Sequence, residues 1–118
     1  MSDLVDYLPD VFRLLGTVRT RRMFGGHGVY LDDVFFALVD DDVLYLKADA
    51  ESAVHFRELG LRQFEYVKDG KAMAMGYYEA PSDVLDDAEQ ARIWGRMAVD
   101  AALRAAQRAA KPGRRRSS

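Results

Sequence analysis

The sequence of 118 residues contains no cysteine, and it has only two histidines and three prolines. Without cysteine the chain can form no disulfide bond and no thiolate zinc site, and it has no cysteine nucleophile. No apolar run is long enough to span a bilayer, and the N-terminal MSDLVDYLPD lacks the basic and apolar segments of a signal peptide. We therefore expect a cytoplasmic protein with no membrane partner.

A complete catalytic set is also missing from the sequence. His27 and His55 are the two candidate imidazole bases, and no serine–histidine–aspartate pattern accompanies either of them. The acidic run Asp40-Asp41-Asp42 lacks the glycine and the distal glutamate of an EF-hand, and it predicts a hairpin turn instead. We expect no catalytic residue, no metal and no cofactor, and thus a binding protein rather than an enzyme.

Charge is distributed unevenly along the chain, although the net charge is only -2. Residues 1–103 hold 11 basic and 19 acidic side chains, whereas no acidic residue follows Asp100. The folded body should therefore repel nucleic acid, and the basic tail should attract it weakly. The tail residues in question are Lys111, Arg114, Arg115 and Arg116. A solubilising, disordered end is the alternative interpretation of this tail.

The hydrophobic periodicity predicts an α+β fold. Helical spacing covers 4–15 and about 86–110, and a third helix should begin after the N-cap Asp49 and stop before Gly60. Strand patterns cover 19–24, 29–31, 34–39 and 43–47; a glycine-rich turn over 25–28 separates the first two, and acidic turns separate the others. The pair Asp69-Gly70 predicts a hairpin between 64–68 and 71–75. We expect two layers, with helices on one face of a single antiparallel sheet. Residues 1–110 form this domain, and 111–118 form a disordered basic tail.

Four blocks of the sequence resemble one known family in order and spacing. They are Arg21-Arg22-Met23-Phe24-Gly25-Gly26-His27-Gly28-Val29-Tyr30-Leu31, Phe36-Ala37-Leu38, Leu44-Tyr45-Leu46-Lys47 and Met75-Gly76-Tyr77-Tyr78-Glu79-Ala80-Pro81. These blocks are similar to the N-terminal domain of the TfoX/Sxy family, which includes bacterial regulators of natural competence genes. The resemblance covers roughly residues 4 to 105.

The resemblance implies a secretion-chaperone-like α+β fold and a role associated with transcription. We interpret the chain as a stand-alone TfoX N-terminal-like module, a regulatory adaptor that contacts a protein of the transcription machinery or another regulator. Formation of a homodimer is left open. A direct nucleic-acid-binding protein and an anion- or small-molecule-binding domain are the two alternative functions.

The candidate contact site begins with Arg19, Arg21 and Arg22, which could form a basic patch on the acidic body. It continues through Gly25, Gly26, His27 and Gly28, whose backbone N–H groups could hold an anion. The segment is not a P-loop, because neither the lysine nor the following helix is present. The alternatives are a bulged turn that needs positive backbone dihedrals and a solvated strand face.

Tyr77 and Tyr78 form a second candidate surface. In a connector over 77–81 they would point in opposite directions, so we expect one of them to be exposed as an aromatic contact for a protein partner. Trp94 and Met97 follow helical spacing, and we assign them to the core.

Overall fold

The computed structural model describes residues 4–23 and 26–110, which form six strands and four helices. The order is α1 (Leu4–Val11), β1 (Val18–Met23), β2 (Gly26–Leu31), β3 (Val34–Asp40), β4 (Val43–Lys47), α2 (Ala50–Glu58), β5 (Gln63–Lys68), β6 (Lys71–Glu79), α3 (Asp83–Asp86) and α4 (Ala88–Ala110). All strand pairs are antiparallel, and the strands lie in the order β1-β2-β3-β4-β6-β5. The predicted α+β fold with a single antiparallel sheet is confirmed.

Three tight hairpin turns connect neighbouring strands of the sheet. Asp32-Asp33, Asp41-Asp42 and Asp69-Gly70 each have positive φ at both residues, from 49° to 78°. Two-residue turns of this hand match the twist of the strands, and aspartate and glycine tolerate the left-handed conformation. The acidic and Asp-Gly turns that the sequence predicts are therefore confirmed, and they fix the register of the hairpins.

One face of the sheet carries the hydrophobic core, and the helices pack there. Leu44 and Leu46 of β4 point to this face, and the buried cluster joins them to Phe12, after α1, and to Phe56 of α2. The long helix α4 packs on β3 and β4. Three of its alanines, Ala91, Ala98 and Ala101, are fully buried, and the first two belong to the core cluster.

A β-bulge determines which aromatic residue of β3 points to each face of the sheet. The register between β2 and β3 shifts after Val29, so that Tyr30 lies opposite Phe35 and Phe36 is the extra residue. Phe36 is fully buried on the helix face, where it meets Phe12 edge to face at 5.4 Å. Phe35 points to the opposite face and stacks on Tyr30.

The structure differs from the sequence analysis at two points in the C-terminal half. The segment beginning at Tyr77 is not the predicted connector, because 77–79 belong to β6 and pair with β4. The short helix α3 was not predicted, because four residues are too few for a periodic pattern.

No helix in the described part of the chain has the length and apolar character needed to cross a membrane.

Asp49 connects the helices α2 and α4. Its side chain accepts a hydrogen bond from the Ser52 amide at 3.0 Å, and the Ser52 hydroxyl accepts one from the Asp49 amide, which forms a capping box on α2. Arg104 of α4 donates two hydrogen bonds to the same carboxylate, at 2.6 and 3.0 Å. The Asp49 side chain is only 7% exposed, and this burial alone would raise the pKa of its carboxyl. The hydrogen bonds from Arg104 and Ser52 outweigh that effect and hold the pKa well below its usual range.

We predict that Asp49→Ala lowers the free energy of unfolding by about 2 kcal/mol, since both the cap and the ion pair are lost. Asp49→Asn is the matched control, because asparagine caps a helix equally well but carries no charge. Chemical denaturation at several pH values measures both effects.

The charged carboxylate stabilises the fold above the unfolded-state pKa of about 3.9, and this contribution declines as the pH falls toward the lower folded-state pKa. The stability difference between wild type and Asp49→Asn should therefore be constant near neutral pH and shrink below about pH 4. A difference that does not change with pH would contradict the assignment.

Candidate functional site

Three arginines line an outer strand of the sheet. Arg19, Arg21 and Arg22 lie on β1, which pairs with β2 alone and forms one edge of the sheet. Residues 19 and 21 point to the face opposite the helices, and residue 22 points to the other face, because strand side chains alternate. We call these three residues the arginine edge.

The arginine edge is exposed to solvent. Arg19 donates a 2.7 Å hydrogen bond to Asp33, and its guanidinium lies 5.9 Å from the centre of the Tyr30 ring. Both partners of this ion pair are mostly exposed, so the pair contributes little to stability and can exchange for another. Arg21 and Arg22 are exposed and have no ion-pair partner within residues 4–23 and 26–110.

The glycine segment next to this edge is a strand rather than a turn. Gly26, His27 and Gly28 belong to β2, directly opposite Met23, Arg22 and Arg21, while Gly25 lies outside the described residues. The predicted turn is therefore wrong over 26–28. His27 and Gly28 are also paired with β3 on their other side, so their backbone does not form an open anion-binding loop. The structure does place this segment beside the arginines, and its contact with a ligand or partner stays a prediction.

Close packing, and not a positive φ, explains why glycine occupies positions 26 and 28. Neither Gly26 nor Gly28 has positive φ, so the expectation of positive dihedrals is wrong for both. A Cβ on Gly26 would lie 2.1 Å from the Val39 carbonyl oxygen. A Cβ on Gly28 would lie 2.9 Å from the side chains of Met23 and Phe35. The glycines allow β1, β2 and β3 to pack closely behind the arginine edge.

The face of the sheet away from the helices is rich in aromatic rings. Tyr30, Phe35 and Tyr77 form a continuous row, with ring centres 5.1 and 5.7 Å apart. The Lys47 ammonium group lies 5.1 Å from the Tyr77 ring centre, and Arg19 occupies the other end of the row over Tyr30. The row gives the outer face of the sheet a rigid, partly apolar surface that ends at the arginine edge.

The expected exposure of Tyr77 or Tyr78 is wrong. Their side chains do point to opposite faces, but they are only 8% and 6% exposed, because both faces of β6 are covered by rings at this point. Tyr78 stacks on Phe56, and its hydroxyl accepts a hydrogen bond from Arg57 at 3.2 Å. Tyr77 packs in the aromatic row, where burial raises the pKa of its phenol to about 12.

Two grooves lie on the helical side of the molecule. One, of about 560 Å³, runs between α1 and α3 past Tyr7 and Leu85, and the other, of about 300 Å³, runs between α2 and α4 past His55 and Met97. Neither groove includes a residue of the arginine edge or of 26–28. Within the described residues, no cluster of three metal-ligating side chains is present. The basic tail, Lys111 to Arg116, lies outside the described residues.

Comparison with known proteins assigns the family. The model of the TfoX N-terminal domain matches residues 10–102, which include every strand and most of α4. The chain belongs to the TfoX N-terminal domain family. The resemblance inferred from the four sequence blocks is thereby confirmed.

Two curated relatives match part of the chain. The chain is 34% identical over 79 residues to DNA transformation protein TfoX1 of Aliivibrio fischeri (strain ATCC 700601 / ES114), an alignment that covers 67% of this chain and 38% of the relative. It is 30% identical over 90 residues to protein Sxy of Escherichia coli (strain K12), covering 76% of this chain and 43% of the relative. The matched region thus spans less than half the length of either relative.

Part of this candidate site was not found from the sequence. The aromatic row was missed because Phe35 and Phe36 look alike in a continuous apolar run, and the bulge decides which of the two points to the outer face. The alternation of Tyr30 with the neighbouring Val29 and Leu31 was the available signal for an aromatic residue on the outer face.

We predict that Gly26→Ala lowers the free energy of unfolding by about 2–3 kcal/mol, because the new methyl group collides with backbone that cannot move independently. Gly28→Ala is the control, since its Cβ meets side-chain atoms that can shift, and its loss should be smaller. Urea denaturation monitored by Trp94 fluorescence compares the two. Equal losses would show that the Val39 carbonyl does not dictate the residue at position 26.

Proposed function

We propose that this TfoX N-terminal domain is a regulatory adaptor that acts on transcription through protein contacts. The observation that carries the proposal is membership of the TfoX N-terminal domain family, together with the similarity to a relative named as a DNA transformation protein. The arginine edge supports it, because a protein that works by contact needs exposed groups without internal partners. The two exposed guanidinium groups of Arg21 and Arg22 meet that requirement.

Protein contact is favoured over contact with nucleic acid by the charge of the domain. Residues 1–103 carry eight more acidic than basic side chains, and three arginines form too small a patch to offset that charge over the length of a phosphate backbone. A protein partner can be recognised by a patch of this size, because a few arginines and aromatic residues supply much of the binding energy of an interface.

The test is affinity capture from a nuclease-treated bacterial lysate with the purified chain as bait. We expect recovery of a defined component, either an RNA polymerase subunit or a DNA-binding regulator, which then binds the purified chain directly. The bait with Arg21→Glu and Arg22→Glu is compared in the same experiment. Recovery that disappears after nuclease treatment, or the absence of any transcription component, would contradict the proposal.

A second candidate function rests on the tail. Residues 111–118 contain four basic and no acidic residues, so the tail could contact phosphates without reading sequence. The expected contribution is weak and steeply dependent on salt, since few counterions are released.

We predict that removal of residues 111–118 abolishes whatever binding to double-stranded DNA the chain shows at low salt. Fluorescence anisotropy with a labelled duplex measures it, and Arg21→Glu/Arg22→Glu in the full chain is the control that leaves the tail unchanged. If the arginine-edge variant loses binding while the truncated chain still binds, the nucleic-acid contact lies on β1 and not on the tail.

A further inference from the structure

We infer that the arginine edge is a docking site for an acidic, extended segment of a partner protein, which adds to the sheet as a seventh strand beside β1. This inference rests on the proposed function and names the chemistry of the partner. It uses the backbone of β1 for affinity and the three arginines for selectivity.

The outer edge of β1 carries backbone N–H and C=O groups that are not bonded to β2. In an antiparallel ladder every second residue of an edge strand directs its N–H and C=O away from its neighbour. Across residues 4–23 and 26–110, no backbone hydrogen bond reaches β1 other than those of the β1–β2 ladder. Six residues of regular strand are therefore open to a further strand, and proteins commonly bind extended peptides in this way.

The arginines exclude a second copy of this chain as the occupant. In an antiparallel pairing of two β1 strands that keeps both faces continuous, Arg19 lies opposite Arg21, or Arg21 lies opposite its own symmetry mate. Like charges directly opposite each other destabilise a strand pair. The same charges that prevent self-pairing attract an acidic strand.

The spacing of the arginines defines the sequence that fits best. In an antiparallel partner strand, the residues opposite Arg22, Arg21, Thr20 and Arg19 follow one another from the N- to the C-terminus. The partner should therefore read acidic–acidic–any–acidic, with a β-branched residue favoured opposite Thr20. The exposed Arg19–Asp33 pair can open to accept the last acidic group.

Charge complementarity also distinguishes this occupant from single-stranded nucleic acid. A peptide strand places one carboxylate against each arginine and uses its backbone for the rest of the contact. A nucleic acid strand has no comparable backbone donors and continues past the edge toward the carboxylates of Asp32 and Asp33. The geometry of β1 favours the peptide.

The probe is a fluorescent peptide with the core Glu-Glu-Thr-Glu, flanked by valine and threonine and titrated with the full chain. We expect binding that weakens with added salt, because screening reduces the attraction between exposed charges. Arg21→Glu/Arg22→Glu should weaken binding by at least about tenfold, and a peptide with the core Lys-Lys-Thr-Glu, which keeps its acidic residue opposite the unchanged Arg19, should recover binding to that variant. Arg13→Glu/Arg92→Glu has the same change in net charge at exposed positions outside the sheet and should leave the affinity within about twofold of wild type.

Backbone methylation tests whether the peptide really adds as a strand. N-methylation of every second residue removes the donors that would face β1, whereas methylation of the alternate set leaves them intact. We expect the first peptide to lose binding and the second to keep it. Equal behaviour of the two peptides, failure of the lysine peptide to bind the reversed variant, or preferential binding of single-stranded DNA at the arginine edge would overturn the inference.

The docking site and the regulatory function can be tested separately. If the captured regulator binds wild type and Arg21→Glu/Arg22→Glu equally, the adaptor function stands and the arginine edge is not its docking site. If the peptide binds as described but no transcription component is captured, strand addition stands and the regulatory function is contradicted.

Discussion

The packing of α4 against one face of the sheet is the constraint on which the rest of the structure depends. This helix packs on β3 and β4, contributes fully buried alanines to the core, and lies beside the aromatic side chains of Phe12 and Phe56. Arg104, one turn beyond Ala101, binds Asp49 at the N-cap of α2 and so joins α2 to α4. Because all this packing uses one face, the other face and the sheet edges are left for different roles.

The two faces of the sheet meet the demand for burial in different ways. On the helix side, apolar residues are covered by other elements. On the outer side, Tyr30, Phe35 and Tyr77 cover one another, and Arg19 and Lys47 lie across the ends of the row. This arrangement produces a stiff outer surface bounded by the β1 edge, where the three arginines protect an otherwise open strand from self-association. Protection and selectivity are thus two consequences of the same charges.

Elements with a strong local signal were predictable from the sequence. The aspartate turns, the capping residue Asp49 and the long alanine-rich helix follow from local chemistry, and the structure confirms them. Features that depend on distant pairing were not predictable. The strand conformation of 26–28 is set by pairing with β1 and β3, and that of 77–79 by pairing with β4. The ion pair between Arg104 and Asp49 joins residues that are 55 positions apart. The bulge at Phe36 appears only when β2 and β3 are aligned. In the candidate site, the arginines were identified from the sequence, but the reason for the neighbouring glycines was not.

The central claim is that β1 is a free edge, and amide hydrogen exchange of the isolated chain, resolved by residue, tests it most directly. The account predicts alternation along Val18–Met23, with slow exchange at amides bonded to β2 and fast exchange at the amides between them, at every protein concentration. Uniform slow exchange along the whole strand would contradict the account, since it would mean that another segment or a second copy already occupies the edge.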